Sequence, residues 1–171
     1  MLPFEGSNKF ADGWFWPYEG EWYRKLCQPI SNGNIIEIGS FEGLSLSYIK
    51  DLIELNNNTI YSVDKFVKKR LIANTKAWDI KLIQKSSVDA SRDFEDEFFD
   101  LIYIDADHKY KSVKADIQAW YPKLKFGGIM AGHDYDNNWP DVKKAVDEAF
   151  PNRMVKYRSW YVRKLKEVKL I

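Results

Sequence analysis

The chain has 171 residues, a length typical of a single domain with its own hydrophobic core. Its 26 basic and 25 acidic side chains leave a net charge of +1, which argues against a surface dedicated to nucleic acid. One cysteine excludes a disulfide framework and a cysteine-based zinc site, and no apolar run approaches the roughly 18 residues of a membrane helix. The first ten residues, MLPFEGSNKF, lack the features of a secretory leader, so we expect a cytoplasmic protein that binds neither nucleic acid nor membranes.

Strand-like and helix-like segments alternate along the chain. Strands are predicted at 34–38 (NIIEI), 59–64 (TIYSVD), 81–85 (KLIQK), 98–105 (FFDLIYID) and 127–132 (GGIMAG). Helices are predicted at 42–55, 67–78, 112–120 and 140–150, the last opened by Pro140, and the tail 153–165 suits two strands joined near Arg158. This order predicts an α/β, doubly wound, mainly parallel seven-stranded sheet with one antiparallel edge strand, in a single domain 1–171.

The stretch IIEIGSFEGLSLSYI (35–49) places a glycine-containing turn after the first strand. It lacks the third glycine of the dinucleotide fingerprint and the lysine of a phosphate-binding loop, and two carboxylates, Glu37 and Glu42, flank it. A phosphate ligand is therefore disfavoured. Gly39 and Gly43 either let another ligand approach the backbone closely or only form a tight turn.

Polar side chains follow the next strands at the edge where parallel strands place ligands. Asp64 ends the second strand, 21 residues beyond Gly43, where a carboxylate can accept hydrogen bonds from ribose hydroxyls. Ser86 and Ser87 follow the third strand and suit the edge of an adenine ring. A ligand with ribose and adenine but no phosphate, in an acidic pocket, is neutral or cationic. S-adenosylmethionine fits that description.

The fourth and fifth strands end in IDADHKY and AGHDYDN, which place both histidines of the chain at the same predicted crevice. A single histidine there is most often structural, but two together favour a site. The candidates that these ends supply are Asp105, Asp107, His108, His133 and Asp134.

On four motifs the chain resembles the class I S-adenosylmethionine-dependent methyltransferases, which have a Rossmann-like fold. The motifs are EIGSFEG (37–43), VDKF (63–66), FDLIYIDADHKY (99–110) and KLKFGGIMAGHDY (123–135), and the likeness covers nearly the whole chain. The last two motifs, with PDVKKAV (140–146), resemble a small branch related to macrocin-type sugar O-methyltransferases and cephalosporin-pathway proteins. The chain departs from the first motif at Phe41, where the family has its middle glycine.

The resemblance implies roles for particular residues. The expected cofactor-binding set is Glu37, Gly39, Ser40 and Gly43 near the methionine part, Asp64 and Lys65 near the ribose, Phe66, Ser86 and Ser87 near adenine, and Asp105. The expected metal ligands are Asp105, His133 and Asp134, and the expected catalytic residues are Asp105, His108 and His133, with one histidine taking the acceptor's proton. Carboxylates suit Mg²⁺, whereas a histidine ligand shifts the preference toward Mn²⁺.

Residues 1–30 form an aromatic segment before the cofactor-binding core 31–171. Within it, GWFWPYEGEWY (13–23) either closes over the cofactor, as the resemblance implies, or forms an amphipathic helix that packs on the sheet. The expected activity is O-methylation of a small hydroxylated acceptor, a saccharide or another metabolite, on which Tyr110, Tyr135 or Trp139 could stack.

Three alternatives stay open. They are an inactive S-adenosylmethionine-binding accessory protein, a nucleic-acid methyltransferase, although the base-flipping signature N/D-P-P-Y/W is missing, and a dehydrogenase. Assembly into a homo-oligomer also stays open.

Overall fold

A seven-stranded sheet runs through the computed structural model, which describes residues 15–165. Its strands are β1 (Asn34–Ile38), β2 (Thr59–Asp64), β3 (Ile80–Gln84), β4 (Phe99–Ile104), β5 (Leu124–Gly132), β6 (Met154–Lys156) and β7 (Ser159–Arg163). Their order across the sheet is β3-β2-β1-β4-β5-β7-β6. Strands β1 to β5 are parallel, and β7 is antiparallel to both β5 and β6. The predicted α/β fold is confirmed, with β7 as the antiparallel strand and β6 outside it.

Helices cover both faces of the sheet. They are α1 (Pro17–Cys27), α2 (Leu44–Ser47), α3 (Leu52–Asn56), α4 (Lys69–Thr75), α5 (Ser87–Ser91), α6 (Tyr110–Trp120) and α7 (Pro140–Ala149), and a 3₁₀ turn at Tyr121–Lys123 follows α6. Helix α7 begins at the predicted proline, whereas α5 was not predicted.

The single helix predicted at 42–55 is divided into α2 and α3. Between them the backbone stays right-handed, but Tyr48 and Ile49 donate to carbonyls three residues back, at Ser45 and Leu46. The Ser47 hydroxyl also donates to the Leu44 carbonyl. Serine hydroxyls compete in this way for helix carbonyls, so the segment tightens into short turns.

Two apolar layers hold the helices to the sheet. One layer joins Ile36, Ile38 and Ile102 to α6 and α7, and its largest fully buried side chains are Trp120 and Trp160. The other layer joins Ile35 and Leu101 to α1 and to the α2–α4 segment. Because both faces of the central strands are covered, β1 and β4 are nearly continuous apolar runs.

Helix α1 packs on the second of these layers. Tyr23, Leu26 and Cys27 have helical spacing and are buried, and the Tyr23 ring stacks on Tyr103 of β4 with centroids 4.1 Å apart. The packed amphipathic helix is therefore observed, while Gly13 and Trp14 lie outside the described residues. Among residues 15–165, no helix combines the length and apolarity that crossing a membrane requires.

Candidate active site

The turn after β1 contains three left-handed residues, Gly39, Phe41 and Gly43, with φ angles of 88°, 48° and 86°. A Cβ atom on Gly39 would lie 2.2 Å from the Asp105 carbonyl oxygen, and one on Gly43 would lie 3.0 Å from Leu71. The glycines are thus required by the chain's own close crossings. The alternative that they also let a ligand approach the backbone stays a prediction.

A first cleft of about 600 Å³ opens beside this turn, at the carboxyl ends of β1, β2 and β4. Among the predicted cofactor residues, those that line it are Gly39, Asp64, Lys65, Ser86, Ser87 and Asp105. Phe41 and Asp116 also line it, although the sequence analysis assigned neither to the cofactor.

Asp64 ties the two neighbouring turns together. One carboxylate oxygen accepts the Phe41 N–H at 3.2 Å, and the other accepts the Phe66 N–H at 2.9 Å. The Phe66 side chain is 69% exposed and lies outside the cleft, whereas the Phe41 ring lines it beneath the Lys68 ammonium, 3.5 Å from the ring centroid. The aromatic side chain in the wall of this cleft is therefore Phe41, in the turn after β1, and not Phe66.

A second cleft of about 310 Å³ adjoins the first. The two share Gly39, Phe41, Asp105 and Ala106, so they meet at the end of β4. The second cleft is further lined by Phe15, Ser40, Glu42, Leu44, Ser45, His108, His133, Asp134 and Trp139. The strand ends bearing the two histidines do converge.

A charged cluster occupies this convergence. His108 Nε2 lies 2.7 Å from one oxygen of Asp134, and Arg158 donates to the other. Arg158 Nε also donates to Asp136 at 2.7 Å. Among the described residues, Asp105, His108 and Asp134 each offer a ligand atom, and these atoms lie within 4.8 Å of one another. Two carboxylates and one imidazole are a donor set that suits a divalent cation.

His133 sits below this cluster and not at its surface. Its side chain is 2% exposed, its Nε2 lies 3.1 Å from Glu19, and its Nδ1 lies 3.4 Å from Asp134 and 3.8 Å from Asp105. The trio within reach of one ion thus contains His108, whereas the sequence favoured His133. Glu19 carried no sequence signal, because it meets His133 only when α1 packs against the folded core.

The electrostatics of the cluster follow from burial and pairing. Burial raises the pKa of Asp105 to about 6, and the Asp134 charge adds to this while His133 opposes it. Burial also acts to raise the pKa of Asp134, but hydrogen bonds from both histidines hold it well below its usual range. Burial disfavours charged His133, yet the Asp105 charge and bonds to Asp134 and Glu19 raise its pKa to about 10. The hydrogen bond to Asp134 raises the pKa of His108.

Glu37 lies beneath the turn, fully buried and in the wall of neither cleft. One oxygen accepts the Ser45 hydroxyl at 2.5 Å, and the other has no hydrogen-bond partner within residues 15–165. Burial raises the pKa of Glu37 to about 8, against the opposing effect of the Ser45 bond.

Of the three aromatic residues expected near an acceptor, Trp139 lines the second cleft and stacks on His108 with centroids 4.0 Å apart. Tyr135 and Tyr110 lie outside it, because their hydroxyls donate to Asp147 and Glu148.

A family model described as a methyltransferase domain matches residues 36–135, more than half of the chain. The protein therefore belongs to this methyltransferase family. Protein R132 of Acanthamoeba polyphaga mimivirus is 32% identical over 126 residues, which cover 66% of this chain and 57% of the viral protein. The matched region thus spans little more than half the length of that relative.

Solved structures show the same fold. CalS11, a TDP-rhamnose 3′-O-methyltransferase of calicheamicin biosynthesis, matches with a TM-score of 0.65 and 17% identity over 85% of this chain and 77% of that one. MycE of the mycinamycin pathway, solved with Mg, SAH (S-adenosylhomocysteine) and mycinamycin VI, matches with a TM-score of 0.62 and 18% identity, over 93% of this chain and 51% of that one. The fold is that of the class I S-adenosylmethionine-dependent methyltransferases.

Proposed function

We propose that the protein transfers a methyl group from S-adenosylmethionine to a hydroxyl group of a small acceptor, a saccharide or another hydroxylated metabolite. The observation that carries this proposal is the pair of clefts that meet at Asp105. One cleft contains Asp64, whose carboxylate is placed to accept ribose hydroxyls, and the other contains the His108–Asp134 pair. CalS11 is a TDP-rhamnose 3′-O-methyltransferase, and MycE was solved with mycinamycin VI, which supports a small-molecule acceptor.

The first cleft suits the adenosyl part of this cofactor. Asp64 already accepts two backbone N–H groups, but a carboxylate offers about four lone-pair positions, so ribose hydroxyls can still donate to it. Ser86 and Ser87 line the part of this cleft where the proposal places the base. When bound, S-adenosylmethionine supplies an electrophilic methyl carbon, which the acceptor oxygen attacks as the carbon–sulfur bond breaks. Asp105, between the clefts, provides the negative charge that suits the sulfonium.

His108 is the residue that takes the acceptor's proton in this proposal. Its side chain is 32% exposed, and its Nε2 faces Asp134, which leaves Nδ1 for the acceptor hydroxyl. His133 is not suited to this step, because carboxylates face both of its ring nitrogens and it is buried. Asp134 fixes the imidazole and stabilises the charge that it gains.

Asp105 and Asp134 would hold a divalent cation, with His108 as the third donor in reach. A cation there would lower the pKa of an acceptor hydroxyl. Carboxylates alone favour Mg²⁺, and inclusion of the imidazole favours Mn²⁺. Because His108 and Arg158 already contact the two Asp134 oxygens, an ion must compete with a protein cation for that carboxylate.

Phe15, which precedes helix α1, belongs to the acceptor cleft in this proposal, and α1 contacts a histidine of that cleft. The Phe15 ring lines the cleft and lies 5.0 Å from the His133 ring, and Glu19 pairs with His133. Glu19 also accepts the Trp16 N–H at 2.8 Å, which ties the helix start to the centre. Contacts of Phe15 and Glu19 thus support a single domain that includes α1 and the core.

Replacement of Asp134 by asparagine tests the proposal. We expect turnover to fall by roughly 10²–10⁴-fold, because His108 loses its charged partner, while the Kd for S-adenosylhomocysteine changes less than about threefold. Asparagine tolerates the left-handed backbone at this position, where φ is 57°. The readouts are methyl transfer to a panel of hydroxylated acceptors and calorimetric binding, each with and without Mg²⁺ or Mn²⁺.

The matched control is Asp136→Asn, since Asp136 also pairs with Arg158 but is not one of the three possible ligands Asp105, His108 and Asp134. Full activity in the Asp134 variant would refute the assigned mechanism. Binding of S-adenosylhomocysteine with no turnover on any acceptor would favour the inactive accessory protein. Salt-dependent binding of RNA would favour the nucleic-acid alternative.

A further inference from the structure

Asp116 on α6 is a buried carboxylate that the proposed mechanism does not use. It is 5% exposed, yet it lines the first cleft together with Ser86, Ser87 and Val88. It therefore contributes to the wall of the cleft where α5 and α6 meet.

The surroundings of Asp116 satisfy it only in part. The Ser87 hydroxyl lies close enough to lower the pKa of Asp116 as a hydrogen-bond donor, and the same hydroxyl accepts the Trp120 indole N–H at 2.9 Å. Burial raises the pKa of Asp116 to about 6, the Ser87 bond lowers it, and the nearby charge of Asp107 raises it further. A carboxylate has about four lone-pair positions, so one hydroxyl leaves most of them free.

Burial of such a group costs free energy unless it gains donors, and leucine or alanine would pack α6 against α5 without that cost. The free lone-pair positions of the Asp116 carboxylate favour a ligand group that donates a hydrogen bond and carries no negative charge. Of the donors on the adenosyl ligand, the proposed function assigns the ribose hydroxyls to Asp64, whereas Asp116 lines the cleft with Ser86 and Ser87, where the base is placed. The donor that remains for Asp116 is the 6-amino group of adenine, which carries two hydrogens and accepts no strong hydrogen bond.

We propose that Asp116 reads the purine base: its carboxylate accepts a hydrogen bond from the 6-amino group of the adenosyl ligand, and Ser87 holds the carboxylate in place. This inference rests on the proposed function, which supplies the adenosyl ligand. It adds a specificity-determining residue that discriminates adenine from purines without the amino group.

Calorimetry with two ligands tests it. The probes are S-adenosylhomocysteine and the analogue that carries hydrogen in place of the 6-amino group. The wild-type protein is expected to bind the analogue about 10- to 100-fold more weakly, because Asp116 then loses its donor. Asp116→Ala is expected to bring the two Kd values within about threefold of each other. Asp116→Asn is expected to give an intermediate ratio, because a neutral carbonyl is a weaker acceptor than a carboxylate.

Two further variants complete the design. Asp89→Asn is the matched control, since Asp89 is exposed on α5, pairs with Arg92 and lines neither cleft, so the wild-type ratio should persist. Ser87→Ala removes the group that holds Asp116 and should lower the ratio even if an Asp116 variant does not fold.

The outcomes separate the two proposals. A wild-type protein that binds neither probe refutes the proposed function. A wild-type protein that binds both probes equally refutes the role of Asp116 and leaves the methyltransferase proposal standing. Asp116 variants that weaken both ligands by one common factor also refute base reading, because a purely structural residue would behave in that way.

Discussion

Glu37 is a carboxyl group whose environment reverses the usual dependence of stability on pH. Its pKa is about 8 in the folded protein because it is fully buried, against 4.5 for an ordinary glutamate. Between these two values the folded protein holds one proton more than the unfolded chain does. Stability from this group is therefore fully present below about pH 4.5, decreases as the pH rises, and is lost above about pH 8.

Replacement of Glu37 by glutamine removes this dependence, because an amide does not ionise. We expect the variant to gain stability relative to the wild type as the pH rises from 5 to 8.5, by roughly 3–5 kcal/mol at most. Urea unfolding of both ligand-free proteins at several pH values measures this difference. Glu54→Gln, on the exposed side of α3, is the control. A difference between Glu37→Gln and the wild type that stays constant over this pH range would contradict the assignment.

At the scale of the elements, β5 depends on two glycines for different reasons. A Cβ on Gly132 would lie 2.6 Å from both the Ile104 carbonyl and the Trp160 indole nitrogen, so β5 packs between β4 and β7 only without a side chain there. Gly127 has a φ of 81°, but a Cβ would meet nothing within 4 Å. The first position is restricted by packing and the second by backbone conformation alone.

Alanine at the two positions should separate these effects. Gly132→Ala is expected to cost roughly 2–3 kcal/mol through overpacking, and Gly127→Ala about 1 kcal/mol through left-handed strain. Chemical unfolding of both variants gives the two values. Equal losses of stability in the two variants would show that the residues around Gly132 shift easily to accommodate the added methyl group.

The elements that could be predicted from the sequence are those with strong local patterns. Examples are the apolar runs of β1 and β4 and the proline at the first position of α7. The five-residue α5 and the division between α2 and α3 could not be predicted, because helices this short depend on tertiary contacts and on serine hydroxyls.

The same contrast holds for the candidate site. Asp64, Asp105 and Asp134 could be identified because strand ends in a parallel sheet converge at one edge. Glu19 and Asp116 could not, since each meets its partner through helix packing across the fold.

At the scale of the whole molecule, binding of the proposed cofactor should stabilise the folded protein. Ligand binding to the native state alone stabilises it by about 2.7 kcal/mol at 100 times Kd. For a chain of this size we expect S-adenosylhomocysteine at that concentration to raise Tm by roughly 5–10 °C. Differential scanning fluorimetry measures the shift, and adenosine diphosphate at the same concentration is the control for a phosphate-binding cleft. No shift at any concentration of S-adenosylhomocysteine would contradict the assignment of the first cleft.

The left-handed backbone of Phe41 has a consequence for how this position should respond to selection. A bulky residue with a φ of 48° is strained, and glycine would relieve roughly 1–2 kcal/mol of that strain. Laboratory evolution that rewards heat resistance alone should therefore replace the phenyl ring with glycine. Selection for turnover should instead keep the phenyl ring, because it lines both clefts. Selection for stability and selection for activity are therefore expected to favour different residues at position 41.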